Sequence, residues 1–236
     1  EGISRDEVRE RMKQNLEVMR DAVEKGTTGE GVESVTGYTG HDAAKLRDYN
    51  EKNHALSGRE MIEAVKGAVA TNEVNAAMGI ICATPTAGSS GTIPGVLFKL
   101  EKTHDLTEDQ MVDFLFTSAL FGRVVANNAS VAGATGGCQA EVGSASAMAA
   151  AASVAIFKGT PEQSGHAMAL AISNLLGLVC DPVAGLVEIP CVMRNAIGSG
   201  NALISADLAL AGVEIEIKNE VELSSFYSST SFFLFV

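Results

Sequence analysis

The feature that most constrains the fold is a long alanine-rich stretch without a charged side chain, VGSASAMAAAASVAIF, from Val142 to Phe157. Alanine is the strongest helix former, so the stretch predicts a helix. The stretch is short for a membrane span, and its alanines and serines are only weakly apolar. We therefore expect a helix buried in the core of a folded domain.

Helical periodicity dominates the remaining sequence, and strand-type alternation is nearly absent. In the first helix, Ser4 and Glu7 match a capping box, and Gly26 is expected to end it. Residues 27–57 are predicted to be a loop followed by polar sequence. Further helices are predicted from about Arg59, from about Pro94, after an N-cap at Thr107, and from about Pro161 to Leu176. The pattern predicts an all-α fold in which glycine- and proline-rich functional loops connect the helices.

Two regions are predicted along the chain. Residues 1–212 form the helical domain, and residues 213–236 form a tail rich in serine and phenylalanine, which has no functional interpretation.

Composition narrows the class of protein. The chain has 236 residues, 46% hydrophobic and 19% charged, which is typical of a globular domain, and its net charge is −12. That charge disfavours nucleic acid and acidic membrane surfaces as partners, because phosphate groups would be repelled. No targeting segment is recognised, and four cysteines without a signal peptide predict a reducing compartment, so we expect a cytoplasmic protein.

Three of the four cysteines are predicted to lie in loops between helices, beside glycine or proline, in TGGCQAE, GLVCDPVAG and VEIPCVMRN. Cys138, Cys180 and Cys191 have neither the spacing of a zinc site nor a Cys-x-x-Cys pair, so three unrelated core cysteines remain one interpretation. The other is an iron–sulfur cluster, which needs thiolates and closely approaching backbone N–H groups. Gly136 and Gly137 would permit that approach.

The number of these thiols suggests chemistry rather than electron transfer. Three thiolates on a 4Fe–4S cluster would leave one iron open to polarise a substrate hydroxyl, as in the removal of water from a small hydroxy acid. Cys82 is a weaker candidate for a fourth ligand.

The loop from Pro85 to Gly95, PTAGSSGTIPG, precedes a predicted helix and offers backbone N–H groups and hydroxyls. It is either a site for an anion such as a carboxylate or an ordinary helix cap, and it lacks the lysine of a nucleotide-binding P-loop. The candidate substrate-binding residues in the loop are Ser89, Ser90, Gly91 and Thr92.

Other candidates lie close to the cysteines or in polar sequence. Arg194 could bind a carboxylate, with Asn195 beside it, or could form a structural salt bridge. His54, in a polar loop, and Glu141, next to Cys138 in sequence, are weak candidates for a catalytic acid or base.

The segments ATPTAGSSGTIPG, GATGGCQAEVGSASAMAAAA and GLVCDPVAGLVEIPCVMRNAIGSGNA resemble the alpha chain of bacterial iron–sulfur-dependent L-serine dehydratases, over roughly Ser4 to Gly212. The resemblance implies a 4Fe–4S cluster on Cys138, Cys180 and Cys191. It also implies conversion of L-serine to pyruvate and ammonia without pyridoxal phosphate. A lyase of amino-acid catabolism is therefore expected.

The sequence is expected to depart from that family in three ways. It begins inside the family's usual N-terminal region, and it leaves the pattern from about Glu214. It also lacks the family's SSHT-x-GP segment, which belongs to the beta chain or beta domain. The resemblance thus implies a beta-chain partner and an oligomer. A related L-cysteine desulfidase and a non-catalytic helical module with buried cysteines are the alternative functions.

Overall fold

The structure is a computed structural model that describes residues 2–52 and 55–215. Its described part contains eight α-helices and no strand, which confirms the all-α prediction. The helices are α1 Arg5–Thr28, α2 Asp42–Lys52, α3 Arg59–Ala76, α4 Thr92–His104, α5 Glu108–Asn128, α6 Gly133–Ile156, α7 Pro161–Ser173 and α8 Cys191–Leu210, with a short 3₁₀ turn at Val183–Gly185.

Helix α6 is the centre of the fold. It packs against α4, α5, α7 and α8, and its residues from Val142 to Val154 are all buried. The predicted buried core helix is therefore confirmed. No helix among residues 2–52 and 55–215 is both long and apolar enough to cross a bilayer.

Helix α3 organises the second half of the packing, because α1, α2, α4 and α8 all contact it. The predicted stop of α1 at Gly26 is wrong: the helix continues to Thr28 and ends at Gly29, which has a left-handed φ of 80°. Gly26 serves packing instead. A Cβ there would lie 2.2 Å from the Ala70 carbonyl oxygen, so only glycine lets α1 approach α3 this closely.

Helix α2 is a second correction, because residues 27–57 were predicted to be without a helix. Its first N–H groups, at Asp42 and Ala43, donate to the buried carboxylate of Glu73 at 2.7 and 3.2 Å. This cap comes from α3, so no local sequence signal announces it.

Local signals succeeded where the capping residue lies in the same segment. The Ser4 hydroxyl accepts from Glu7 N at 3.1 Å, but the Glu7 carboxylate pairs with Arg11 and the predicted capping box is only half formed. Thr107 forms a reciprocal capping box with Gln110. Helix α4 begins at Thr92, two residues before the predicted start, and α7 ends at Ser173 rather than Leu176. His54 and residues 216–236 of the predicted tail lie outside the described residues.

Candidate active site

A break inside α6 brings two of the cysteine segments together. Gly137 has φ 78° and ψ −178°, which interrupts the helix just before Cys138. A Cβ on Gly137 would lie 2.9 Å from the Leu178 carbonyl oxygen, and Gln139 N donates to that same oxygen at 2.8 Å. Glycine is required here both by the positive φ and by the close approach of the segment that carries Cys180. Cys138 was predicted to lie in a loop, and it lies instead at this break within the helix.

The third cysteine reaches the same place from α8. Cys191 is the first residue of that helix, and its thiol forms a hydrogen bond with the thiol of Cys138. Both side chains are buried, whereas Cys180 is exposed in the neighbouring segment. The structure therefore brings the three cysteine segments into one region, and Cys82 instead packs against the main hydrophobic core.

Arg194 places a positive charge beside Cys138. Its Nη1 donates to Cys138 Sγ at 3.1 Å, to Asp181 Oδ1 at 2.6 Å and to the Val179 carbonyl oxygen at 2.9 Å. The hydrogen bond from Cys191, together with the nearby guanidinium, lowers the pKa of Cys138 to about 6. Cys138 is thus the thiol most ready to become a thiolate.

The other two thiols are held in the protonated form. The hydrogen bond to Cys138, and then burial, raise the pKa of Cys191. Partial burial and the negative charge of Cys138 raise the pKa of Cys180. Without a cation, the three thiols cannot all ionise cheaply, since each negative charge opposes the next.

Glu141 faces the cysteines from one turn further along α6. Its Oε1 accepts from the Thr86 hydroxyl. A Cβ on Gly88 would lie 2.7 Å from Oε1, and a Cβ on Gly133 would lie 2.6 Å from Oε2. The two glycines therefore form a cradle for this carboxylate. Its charge opposes ionisation of all three cysteines.

Asn195 joins the predicted anion-binding loop to α8. Its Oδ1 accepts from Gly91 N at 3.2 Å and from Thr92 N and Oγ1, both at 3.1 Å. Its Nδ2 donates to the Gly88 carbonyl oxygen at 2.7 Å and to the Cys191 carbonyl oxygen at 3.0 Å. The loop and the start of α8 are thereby held as one unit.

The predicted substrate-binding residues are thus placed beside the cysteines, but most of them are enclosed. Ser89, Ser90, Thr92 and Asn195 are fully buried. A direct contact between a substrate carboxylate and Gly91 N or Thr92 N would require their hydrogen bonds to Asn195 to be replaced. Arg194 likewise already has Asp181 as its carboxylate partner.

Sequence reasoning missed three contributors to this site. Thr86 lies inside the quoted loop, but its partner Glu141 is far away in sequence, so no local signal pairs them. Gly88 and Gly133 were not singled out, because the carboxylate that needs their small size is supplied by another element.

Comparison with known proteins defines the class to which this fold and site belong. The family model described as "Serine dehydratase alpha chain" matches residues 1–228, and the chain belongs to that family. The match runs to residue 228, so the expected departure from the family pattern at about Glu214 is wrong, while the predicted domain boundary at residue 212 stays a prediction.

Individual relatives agree with this assignment. The chain is 58% identical over 224 residues to the "Probable L-serine dehydratase, alpha chain" of Bacillus subtilis (strain 168), covering 95% of this chain and 74% of that protein. It is 46% identical to the "L-serine dehydratase, alpha chain" of Peptoniphilus asaccharolyticus, covering 89% and 71%. It is also 35% identical to "L-serine dehydratase 2" of Escherichia coli (strain K12), covering 88% of this chain but 46% of that longer protein.

Proposed function

We propose that this chain is the alpha chain of an L-serine dehydratase, a lyase that converts L-serine to pyruvate and ammonia. The observation that carries the proposal is the meeting of the three cysteine segments at the Gly137 break, within a chain of this family. We propose further that it works in the cytoplasm without pyridoxal phosphate, in an oligomer with a beta chain that supplies the rest of the active site.

We propose that Cys138, Cys180 and Cys191 hold a 4Fe–4S cluster. Among residues 2–52 and 55–215, no three His, Cys, Asp or Glu side chains are grouped so that they could hold a single metal ion. The thiolates of a polynuclear cluster bind separate irons, so they do not need to meet at one point. The donor set fits, since two thiols are in contact, the third is adjacent, and the Gly137 backbone has no side chain in the way. When bound, such a cluster supplies an iron without a protein thiolate that can act as a Lewis acid on a substrate hydroxyl.

Arg194 prepares the thiol region for such a group. Its guanidinium stabilises the Cys138 thiolate and holds Asp181, the residue after Cys180, through a 2.6 Å ion pair. Arg194 therefore links the segment that carries Cys138 to the segment that carries Cys180.

Glu141 is the proposed acid–base residue of this chain. The Thr86 hydroxyl donates to Oε1, and Gly88 and Gly133 put no side chain of their own against the carboxylate. The carboxylate can therefore hold a proton at Oε2 or accept a hydrogen bond from the substrate ammonium group. His54 stays a weaker candidate.

We propose that Ser89, Ser90, Gly91 and Thr92, with Arg194 and Asn195, bind the substrate carboxylate, which replaces Asn195 as the acceptor for Gly91 N and Thr92 N and Asp181 as the partner of Arg194. The link between Asn195 and both the loop and Cys191 supports this, because it places the loop at a fixed position relative to the thiols. If the proposal holds, Thr92→Ala should raise the KM for serine more than it changes kcat, since binding is what this loop supplies.

The proposal is tested with the full chain, reconstituted anaerobically with ferrous iron and sulfide and mixed with the beta chain. We expect pyruvate from L-serine. Glu141→Gln should lower kcat by about 10²–10⁴-fold, as loss of a general acid or base does. Glu162→Gln, at the exposed start of α7, is the matched control and should leave the rate unchanged. Release of sulfide from L-cysteine in place of pyruvate from serine would identify the enzyme as a desulfidase.

A further inference from the structure

Glu188 is a buried carboxylate in an exposed part of the chain. Its side chain is 7% exposed, while its neighbours Leu186, Val187 and Ile189 are 41%, 44% and 38% exposed. The carboxylate turns inward and accepts at Oε2 from the Thr36 hydroxyl at 2.7 Å and from the Thr39 hydroxyl at 3.4 Å. These two donors come from the loop between α1 and α2, far away in sequence.

The loop that supplies the hydroxyls has a defined turn structure. Ser34 N donates to the Thr39 carbonyl oxygen at 3.0 Å, and Gly37 N donates to the Ser34 carbonyl oxygen at 3.0 Å. The Ser34 hydroxyl accepts from Thr39 N at 3.3 Å and lies 3.1 Å from Thr36 Oγ1. The turn therefore presents both threonines to Glu188 from a fixed backbone.

The main chain of Glu188 is tied to the start of α8. Its carbonyl oxygen accepts from Val192 N at 2.9 Å, and this bond spans Cys191. The next bond of the same helix runs from Arg194 N to the Pro190 carbonyl oxygen at 3.0 Å. A side chain that fixes Glu188 thus also fixes the first turn of α8, where Cys191 contacts Cys138.

We infer that Thr36, Thr39 and Glu188 form a threonine clamp, which positions Cys191 beside Cys138. The clamp acts on the thiol site from outside, because neither threonine forms a hydrogen bond with a cysteine within residues 2–52 and 55–215. Hydrogen bonds to a carboxylate are stronger than those between neutral groups, so two of them suffice to hold a short segment. The expectation about iron removal rests on the proposed function, whereas the expectation about alkylation of Cys191 does not depend on it.

The test measures how fast iodoacetamide alkylates Cys191 in the metal-free full chain, with Cys82 as the internal reference. Thr36→Val removes the hydroxyl at nearly constant volume and should accelerate alkylation of Cys191 about tenfold, since the buried thiol becomes exposed more often. Thr117→Val is the matched control. Its hydroxyl donates to the Asp113 carbonyl oxygen within α5, so alkylation should not change. Thr36→Ser keeps the donor and should behave like the unsubstituted chain.

The outcome separates the clamp from the cluster. Equal alkylation of Cys191 in Thr36→Val and Thr117→Val, or fast alkylation in Thr36→Ser, would overturn the clamp. Thr39→Val, whose bond is longer, should give a smaller acceleration and serves as the test if Thr36→Val loses helical circular dichroism. In the reconstituted chain, a ferrous chelator should also remove iron faster from Thr36→Val. Faster alkylation in a chain that takes up no iron would support the clamp and contradict the cluster.

Discussion

The long part of α6 and the segment from residue 176 to residue 190 lie next to each other but are held by different forces. From Val142 to Val154 the helix is buried on all sides, and its small side chains let α5, α7 and α8 pack closely around it. The 176–190 segment instead has little of its own surface buried. The large apolar side chains that it exposes are Leu176, Val179, Val183, Leu186, Val187 and Ile189.

What holds the 176–190 segment is a small set of hydrogen bonds from other elements. Gln139 binds the main chain at residues 177 and 178, Arg194 binds Val179 and Asp181, and Thr36 binds Glu188. Apolar burial therefore stabilises the scaffold, whereas directed polar contacts position the thiols. Substitutions in the scaffold should alter unfolding, and substitutions around the segment should alter cysteine chemistry.

The largest effect on unfolding is expected in the scaffold. Phe114 in α5 is 1% exposed and belongs to the main core, so Phe114→Ala should lower the free energy of unfolding by about 3–5 kcal/mol. Leu120→Ala, in the same helix but 61% exposed, should change it by less than about 0.5 kcal/mol. Urea denaturation followed by circular dichroism measures both. Similar losses in the two variants would show that α5 does not pack as described.

Substitution of two separate glycines by alanine should change the free energy of unfolding by smaller amounts and in opposite directions. A Cβ on Gly95 in α4 would lie 2.5 Å from the Ala64 carbonyl oxygen, so Gly95→Ala should cost about 1–3 kcal/mol of stability. Gly165 in α7 has nothing within 4 Å of its Cβ position, and Gly165→Ala should gain about 0.5–1 kcal/mol. The same urea titration applies. A gain in Gly95→Ala would contradict the close approach of α3 and α4.

The smallest energetic effect is expected at the thiols, where it appears as a pH dependence. Because the folded pKa of Cys138 is lowered to about 6, its thiolate fraction grows as the pH rises through about 6. Alkylation of Cys138 in the metal-free chain should therefore increase between pH 5 and 7 and level off above, because only the thiolate is the nucleophile.

Arg194→Gln provides the comparison for that profile. Without the guanidinium, the midpoint for Cys138 should move to higher pH, while the free energy of unfolding should change little compared with Phe114→Ala. Cys191 should remain poorly reactive at neutral pH in both proteins, since its pKa is raised. An unchanged midpoint would remove Arg194 from the electrostatics of the site.

The sequence could predict features that depend on residues within one segment, but not features that depend on contacts between distant segments. The alanine-rich helix and the caps at Ser4 and Thr107 were predictable, because each depends on residues within one segment. Helix α2 was not, since Glu73 of α3 caps it, and Gly26 was misread because its partner Ala70 lies in another helix.

The candidate site shows the same limit. Local glycine and proline drew attention to Cys138, Cys180 and Cys191, and the structure places them in one region. The contact between Glu141 and Thr86 and the contact between Glu188 and Thr36 join residues far apart in sequence. Such pairs arise from tertiary packing, and one sequence contains no local pattern that encodes them.

The most direct test of the proposed cluster is the iron and acid-labile sulfide content of the anaerobically reconstituted full chain. We expect about four irons per chain, as for a 4Fe–4S cluster, in the unsubstituted protein and in Cys82→Ser. Cys138→Ser, Cys180→Ser and Cys191→Ser should each lose most of that iron while keeping the helical circular dichroism. Full iron retention in Cys138→Ser, or equal loss in Cys82→Ser, would contradict the assignment of the three cysteines as the cluster ligands.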